Sequence, residues 1–188
     1  MPAHHYVNIV HIGGGAAMTR VIRGRRTADL SDRGGVVVFL IGMRINRLWQ
    51  VWRWLPVFIA MPRMIVELTK DPARGLLARP RTYLSGRTVL LVQYWNSFDD
   101  LERYARDPEA GHLPAWRGFN RRIRDNGSVG IFHETYRVAA KDVETAYANM
   151  PVFGLAAASA LVPIGPERQT AATRIGARRD DRPPVEPY

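Results

Sequence analysis

The chain has no cysteine. That excludes disulfides, thiolate nucleophiles, iron–sulfur clusters and thiolate-ligated haem, and it removes the usual redox clue to the compartment. Lysine is almost absent: of 27 basic residues only Lys70 and Lys141 are lysines, against 17 acidic residues and a net charge of +10. The arginines are scattered over the whole chain, with no basic run interleaved with aromatics and no zinc-finger or helix-turn-helix spacing. No nucleic acid partner is therefore expected. No run of about 18 apolar residues occurs, which excludes a spanning helix. The N-terminal stretch MPAHHYVNIVHIGGGAAM lacks a charged region followed by an apolar core. No secretory signal is read there, and the expected location is cytoplasmic. Gly13-Gly14-Gly15 lacks the strand-then-helix context of a dinucleotide fingerprint. A Ser–His–Asp order, a P-loop and zinc-ligand spacing are missing too, so no metal site is expected.

What is present is globular: 188 residues, 46% hydrophobic and 10% aromatic, enough for one domain. The expected division is a flexible extension over 1–20, a folded domain over 21–164 and a disordered Pro-, Arg- and Asp-rich tail over 165–188. Val36 to Ile45, VVVFLIGMRI, is short, β-branched and apolar, which predicts a strand buried on both faces. Asn46 to Lys70 has helical spacing, with Pro56 and Pro62 expected to kink or divide it. Leu76–Leu84 and Thr88–Trp95 predict a hairpin across Ser85-Gly86-Arg87. Ser97 caps the next helix with Asp100 three residues on, and Asp107-Pro108 ends it. Leu113 to Arg124 resumes as helix, and Val129 to Val138 is the fourth strand. Lys141 to Met150 reads as a short helix or turn, and Pro151 to Pro163 as an apolar cover.

The order β-α-β-β-α-β predicts an α+β, ferredoxin-like domain: an antiparallel sheet with helices on one face. Its strands look apolar on both faces, so the bare face needs a cover. The simplest cover is the same face of a second copy, giving a homodimer whose sheets close into an α+β barrel.

Chemistry-bearing residues concentrate between Gln93 and Val138. His112, Trp116 and Asn120 are spaced at i, i+4 and i+8, on one helical face. A helix N-terminus disfavours imidazolium, so a neutral His112 would act as a base or ligate iron; the structural alternative is a hydrogen bond that locks the junction after Gly111. His133 and Glu134 are neighbours on a strand and must point to opposite faces, so they do not share one metal. Ile131, His133 and Thr135 form one face, and Phe132, Glu134 and Tyr136 the other. One face should line a pocket and the other a dimer seam. A buried Glu134 would need Arg44 or Arg137 as its partner. Tyr94, Trp95, Trp49, Trp52 and Tyr136 are the expected aromatic walls of a pocket for a planar small molecule, with ordinary core packing as the alternative.

Four stretches, RINRLWQVWRWLPVFIAMPRM, LLVQYWNSFDDLERYARD, HLPAWRGFNR and VGIFHETYRV, carry a resemblance to a known family. The chain resembles, from about Arg23 to Pro163, the monooxygenase-like family named for a polyketide monooxygenase of the fungal fumagillin pathway. That family lies within the dimeric α+β barrel group, which includes antibiotic-biosynthesis monooxygenases. The resemblance implies a small oxygenase acting with O2 on a phenolic, enolic or polyketide-like substrate, with no cofactor expected. His112, His133 and Glu134 are its candidate catalytic residues. Tyr94, Trp95, Trp116, Asn120, Tyr136, Trp49, Trp52 and Arg44 are its candidate substrate contacts. The wider group also includes haem proteins such as aldoxime dehydratases and chlorite dismutases. The alternative is therefore a haem enzyme with His112 or His133 as axial ligand. A third reading is a non-catalytic barrel that binds an apolar ligand or touches a membrane surface through Trp49 to Met61.

Overall fold

The computed structural model describes residues 20–109, 117–119, 121 and 126–175. Seven strands follow in chain order: β1 (Ile22–Asp29), β2 (Gly35–Ile45), β3 (Arg81–Ser85), β4 (Thr88–Trp95), β5 (Val129–Ala139), β6 (Tyr147–Met150) and β7 (Ala160–Pro163). Two long helices, α1 (Val51–Lys70) and α2 (Phe98–Arg106), follow β2 and β4. Residues 117–119 and 121 are also helical. The central sheet has the order β3-β4-β2-β5, all antiparallel. This is the expected ferredoxin-like arrangement, an α+β fold.

Strand pairing decides which side chains share a face. In β2, Phe39 lies opposite Gln93 on one side and Thr135 on the other, and Ile41 lies opposite Leu91 and His133. Directly paired residues point the same way, and sequence neighbours point opposite ways. The odd-numbered residues of β2, β4 and β5 therefore form the helix-side face. There Met43, Val89, Leu91 and Ile131 pack with Trp54, Val57 and Met61 of α1. Trp95 and Val37 pack with Leu68 of α1 and with Leu101 and Tyr104 of α2.

Pro56 and Pro62 do not divide α1, which runs unbroken for 20 residues. Each proline removes a backbone bond at a cost of about 3 kcal/mol. Contacts made by α1 to both the sheet and α2 offset that cost. Arg74 ties the end of α1 to α2: its guanidinium meets Asp107 at 3.1 Å, Asp71 at 3.2 Å and Glu67 at 3.7 Å. It also lies 5.6 Å above the Tyr104 ring. Gly75, at φ +87°, fits there because a side chain would collide with Asp100 at 2.6 Å. Ser97 caps α2 as expected, its hydroxyl accepting from the Asp100 amide at 3.0 Å.

Several expectations need correcting. The first hairpin strand is only Arg81–Ser85, and Leu76 makes an isolated bridge to Trp95. Pro80, which has no N–H, sits between them. The other face of the sheet is not left wholly for a partner. A second sheet, ordered β6-β1-β7, covers one end of it. There Ala28, Leu30, Leu155 and Ala156 bury Val36, Val38, Tyr94 and Val138. Tyr147–Met150, expected as helix or turn, is a strand, preceded by the short 3-10 turn Ala140–Asp142. The supposed tail is ordered through Ile175: Thr170 caps the helical turn Ala171–Arg174, and Arg174 pairs with Glu144 at 2.6 Å. No helix among the described residues is long and apolar enough to cross a membrane.

Candidate active site

A cavity of about 620 Å³ lies between the odd-numbered sheet face and the helices. That volume suits a drug-sized ligand. The sheet supplies Phe39, Ile41, Gln93, Trp95, His133 and Thr135 as its floor; α1 supplies Pro56, Ala60, Met64 and Leu68 as one wall. Phe98, Leu101 and Tyr104 of α2 and Phe119 complete the apolar lining. Among the described lining residues, charge appears only at Glu102, Arg106 and Arg121. Glu102 and Arg106 pair at 2.8 Å across one helical turn.

His133 is the histidine of the described lining, and its ring centroid lies 5.9 Å from that of Phe39. It stands on β5, the edge strand of the sheet, where both His133 and Thr135 are exposed. The cavity therefore opens to solvent along β5. Burial pushes the Tyr104 phenol up to about 12, reinforced by the charge of Glu67 and opposed by Arg74. Tyr104 is thus a neutral wall residue over the physiological range.

Gln93 is the polar group that sequence reasoning passed over. The signal was there: it is the lone polar residue within the apolar strand VLLVQYW. It is 7% exposed and Trp95 is fully buried. The Trp95 indole N–H donates to Gln93 Oε1 at 2.9 Å. An indole can only donate, so this bond fixes the orientation of the amide. Among the described residues Gln93 Nε2 has no hydrogen-bond partner, and it is not a sealed atom. Gln93 lines the cavity, so its amide N–H groups are donors it can offer there.

The expected aromatic pocket is split by the alternation of the strands. Trp95 belongs to the cavity, whereas Tyr94 points the other way, under the second sheet, where burial raises its phenol. Tyr136 and Glu134 occupy the far face, with the Tyr136 hydroxyl donating to Glu134 Oε2 at 2.5 Å. That bond raises the Tyr136 phenol. Glu134 is exposed and pairs with neither Arg44 nor Arg137 among the described residues; Arg44 donates to Thr88 Oγ1 at 3.1 Å instead. Trp49 and Trp52 are 69% and 68% exposed and do not line the cavity. Trp52 is turned outward because Trp54, Val57 and Met61 of α1 take the sheet side, and Trp49 lies in the turn before the helix. His112, Trp116 and Asn120 lie outside the described residues. No cluster of metal-ligating side chains occurs among the described residues.

Fold and site together define a chain of the dimeric α+β barrel fold, with an apolar cavity that has a histidine on its floor. The chain belongs to the Monooxygenase af470-like family, whose model matches residues 36–155. Monooxygenase af470 of Aspergillus fumigatus is 30% identical over 151 residues, covering 70% of this chain and 53% of that protein. The chain thus spans about half the length of that curated relative. Among solved structures, aldoxime dehydratase OxdRE in complex with butyraldoxime is similar at a TM-score of 0.56 and 20% identity, over 71% of this chain and 41% of the other. A second aldoxime dehydratase structure is similar at 0.55 and 18% identity, over 71% and 42%. At these identities the likeness is one of fold.

Proposed function

We propose that the chain is a small monooxygenase that uses O2, without a cofactor, to oxidise a phenolic, enolic or polyketide-like molecule. The observation that supports this most is the placement of His133 on the floor of an apolar cavity that also offers the Gln93 amide donor. His133 accepts the proton from an acidic C–H or O–H of the substrate. The enolate oxygen that results accepts a hydrogen bond from Gln93 Nε2, with the cationic Arg121 at the rim. The carbanion passes one electron to O2, the radical pair joins as a peroxide, and loss of water leaves a carbonyl. The balance is CH2 + O2 → C=O + H2O. Phe39 and Ile41 of the floor and Ala60 and Met64 of α1 shield the carbanion on the side away from the β5 opening.

Gln93 and His133 stand on strands separated by β2. Two strand spacings of about 4.8 Å and the two-residue offset between Phe39, opposite Gln93, and Ile41, opposite His133, put their backbones roughly 12 Å apart. A fused-ring or comparably long planar molecule is what reaches both. The proposal includes a homodimer: Leu40, Leu90, Val92, Phe132 and Tyr136 form the part of the far face that the second sheet leaves uncovered, and a second copy would close it.

Haem is the other chemistry implied for His133, and the fit is incomplete. Iron-ligating histidines donate their second ring nitrogen to a carbonyl or carboxylate. No such acceptor holds His133 among the described residues.

Oxygen uptake with a panel of anthrone-, phenol- and β-diketone-type substrates tests the reading. His133→Ala is expected to lower the rate by about 10²–10⁴, with little change in thermal midpoint because the side chain is exposed. No uptake with the whole panel, or full activity in His133→Ala, would overturn it. A Soret band in the purified protein that His133→Ala abolishes would replace it with a haem enzyme.

A further inference from the structure

α1 is apolar around more of its circumference than the sheet and the cavity use. Trp54, Val57 and Met61 pack on the sheet side, and Pro56, Ala60 and Met64 face the cavity. Outside, Leu48, Trp49, Trp52, Leu55, Ile59 and Val66 are all exposed. Within the helix these recur three, four and seven residues apart, which aligns them in one stripe. At ~1.5 Å per residue the helical stripe from Trp52 to Val66 is about 21 Å long, and Leu48 and Trp49 extend it from the turn before the helix. Soluble monomers seldom leave a contiguous apolar patch of this extent without a use.

The charge around it is of one sign. Between Asp32 and Glu67 there is no acidic residue, while Arg44, Arg47, Arg53 and Arg63 fall there. Arg87 donates to the Asn46 carbonyl at 3.2 Å, which brings a further guanidinium to the start of α1. Arg47 and Arg87 are exposed, and neither is in an ion pair among the described residues; Arg44 lies on the far face of the sheet, beside Thr88. A second copy is a poor occupant, because a two-fold contact through the stripe would bring the two arginine groups together. Tryptophan and arginine beside an aliphatic stripe match the headgroup boundary of an anionic bilayer.

We propose that the outer face of α1 lies in the interface of a membrane containing anionic lipids. Trp49 and Trp52 anchor it, and Arg47 and Arg87 sit among the headgroups. The same helix walls the cavity with Pro56, Ala60 and Met64. A docked chain therefore holds that wall about one helix diameter, ~10 Å, from the acyl chains, where apolar ligands dissolve.

The test is sedimentation of the full chain with vesicles of phosphatidylcholine alone or mixed with phosphatidylglycerol. The expected result is partition onto the mixed vesicles, stronger by roughly tenfold or more than onto phosphatidylcholine and weakened by added salt. Trp49→Ser/Trp52→Ser should lose that partition while keeping the wild-type thermal midpoint, since both side chains are exposed. Arg47→Gln/Arg87→Gln should lose the preference for the anionic lipid. Failure of the wild type to sediment with the mixed vesicles would overturn the proposal. So would unchanged sedimentation of the tryptophan variant, or a loss of oligomer in that variant without any vesicle binding by the wild type.

Discussion

Trp95→Phe isolates the bond that orients the cavity's amide. Trp95 is fully buried, and its indole N–H donates to Gln93 Oε1 at 2.9 Å. Phenylalanine removes the donor and leaves a buried acceptor without its partner, which costs about 1–3 kcal/mol. The smaller ring also leaves a void; at ~24 cal/mol per Å³, every 40 Å³ or so that fails to collapse adds roughly 1 kcal/mol. The sum is about 2–4 kcal/mol, and at ~2–4 °C per kcal/mol for a chain of this size the midpoint falls by roughly 4–16 °C. Gln93→Leu in the Trp95→Phe background then removes the stranded acceptor. Removing both partners costs less than the two single losses combined, so the double variant should be more stable than additivity predicts by about 1 kcal/mol or more. Calorimetry or urea unfolding of the four proteins measures this. Additivity within about 0.5 kcal/mol would refute the claim that this bond orients Gln93.

Two glycines, Gly42 within β2 and Gly34 just before it, should behave oppositely. A Cβ on Gly42 would lie 2.5 Å from both the Val89 carbonyl oxygen and the Phe132 ring, whereas nothing lies within 4 Å of one on Gly34. Gly42→Ala should cost about 1–3 kcal/mol, toward the upper end because the carbonyl is backbone. Gly34→Ala should be neutral or stabilising by up to about 1 kcal/mol; equal midpoints for the two variants would contradict the packing described. Tyr104 supplies a pH test: its phenol titrates near 10 when unfolded and is pushed up to about 12 in the fold. The stability it contributes is complete below pH ~10 and is lost as pH rises toward about 12, because the unfolded chain ionises first. Tyr104→Phe should flatten that alkaline decline in unfolding free energy, leaving the smaller share from Tyr94 and Tyr147, whose phenols burial also raises. An unchanged decline would rule out the burial assigned to Tyr104.

The four central strands were legible because their runs are apolar and β-branched and are bounded by turn residues. The cap at Ser97 was legible because its spacing carries its own mechanism. β1, with the sequence IRGRRTAD, was not: it holds three arginines and a glycine at φ +90° and shows no alternation. It is a strand because β6 and β7 pair with it. The same holds for the ordered stretch beyond Gly165, which is held by Arg174 reaching Glu144 thirty residues away.

The site divides along the same line. Local periodicity was enough to establish that His133 and Glu134 look opposite ways, since the pleat of a strand is a property of the backbone. Which of them meets the cavity is decided by the side of the sheet that the helices cover, and that depends on packing between distant segments. The outward turn of Trp52 has the same cause: α1 is apolar on several sides, so its sequence does not choose which side meets the sheet. Gln93 shows the limit from the other direction. Its place in the strand was visible in the sequence, but the donor it presents exists only because the buried Trp95 indole holds the amide's other end.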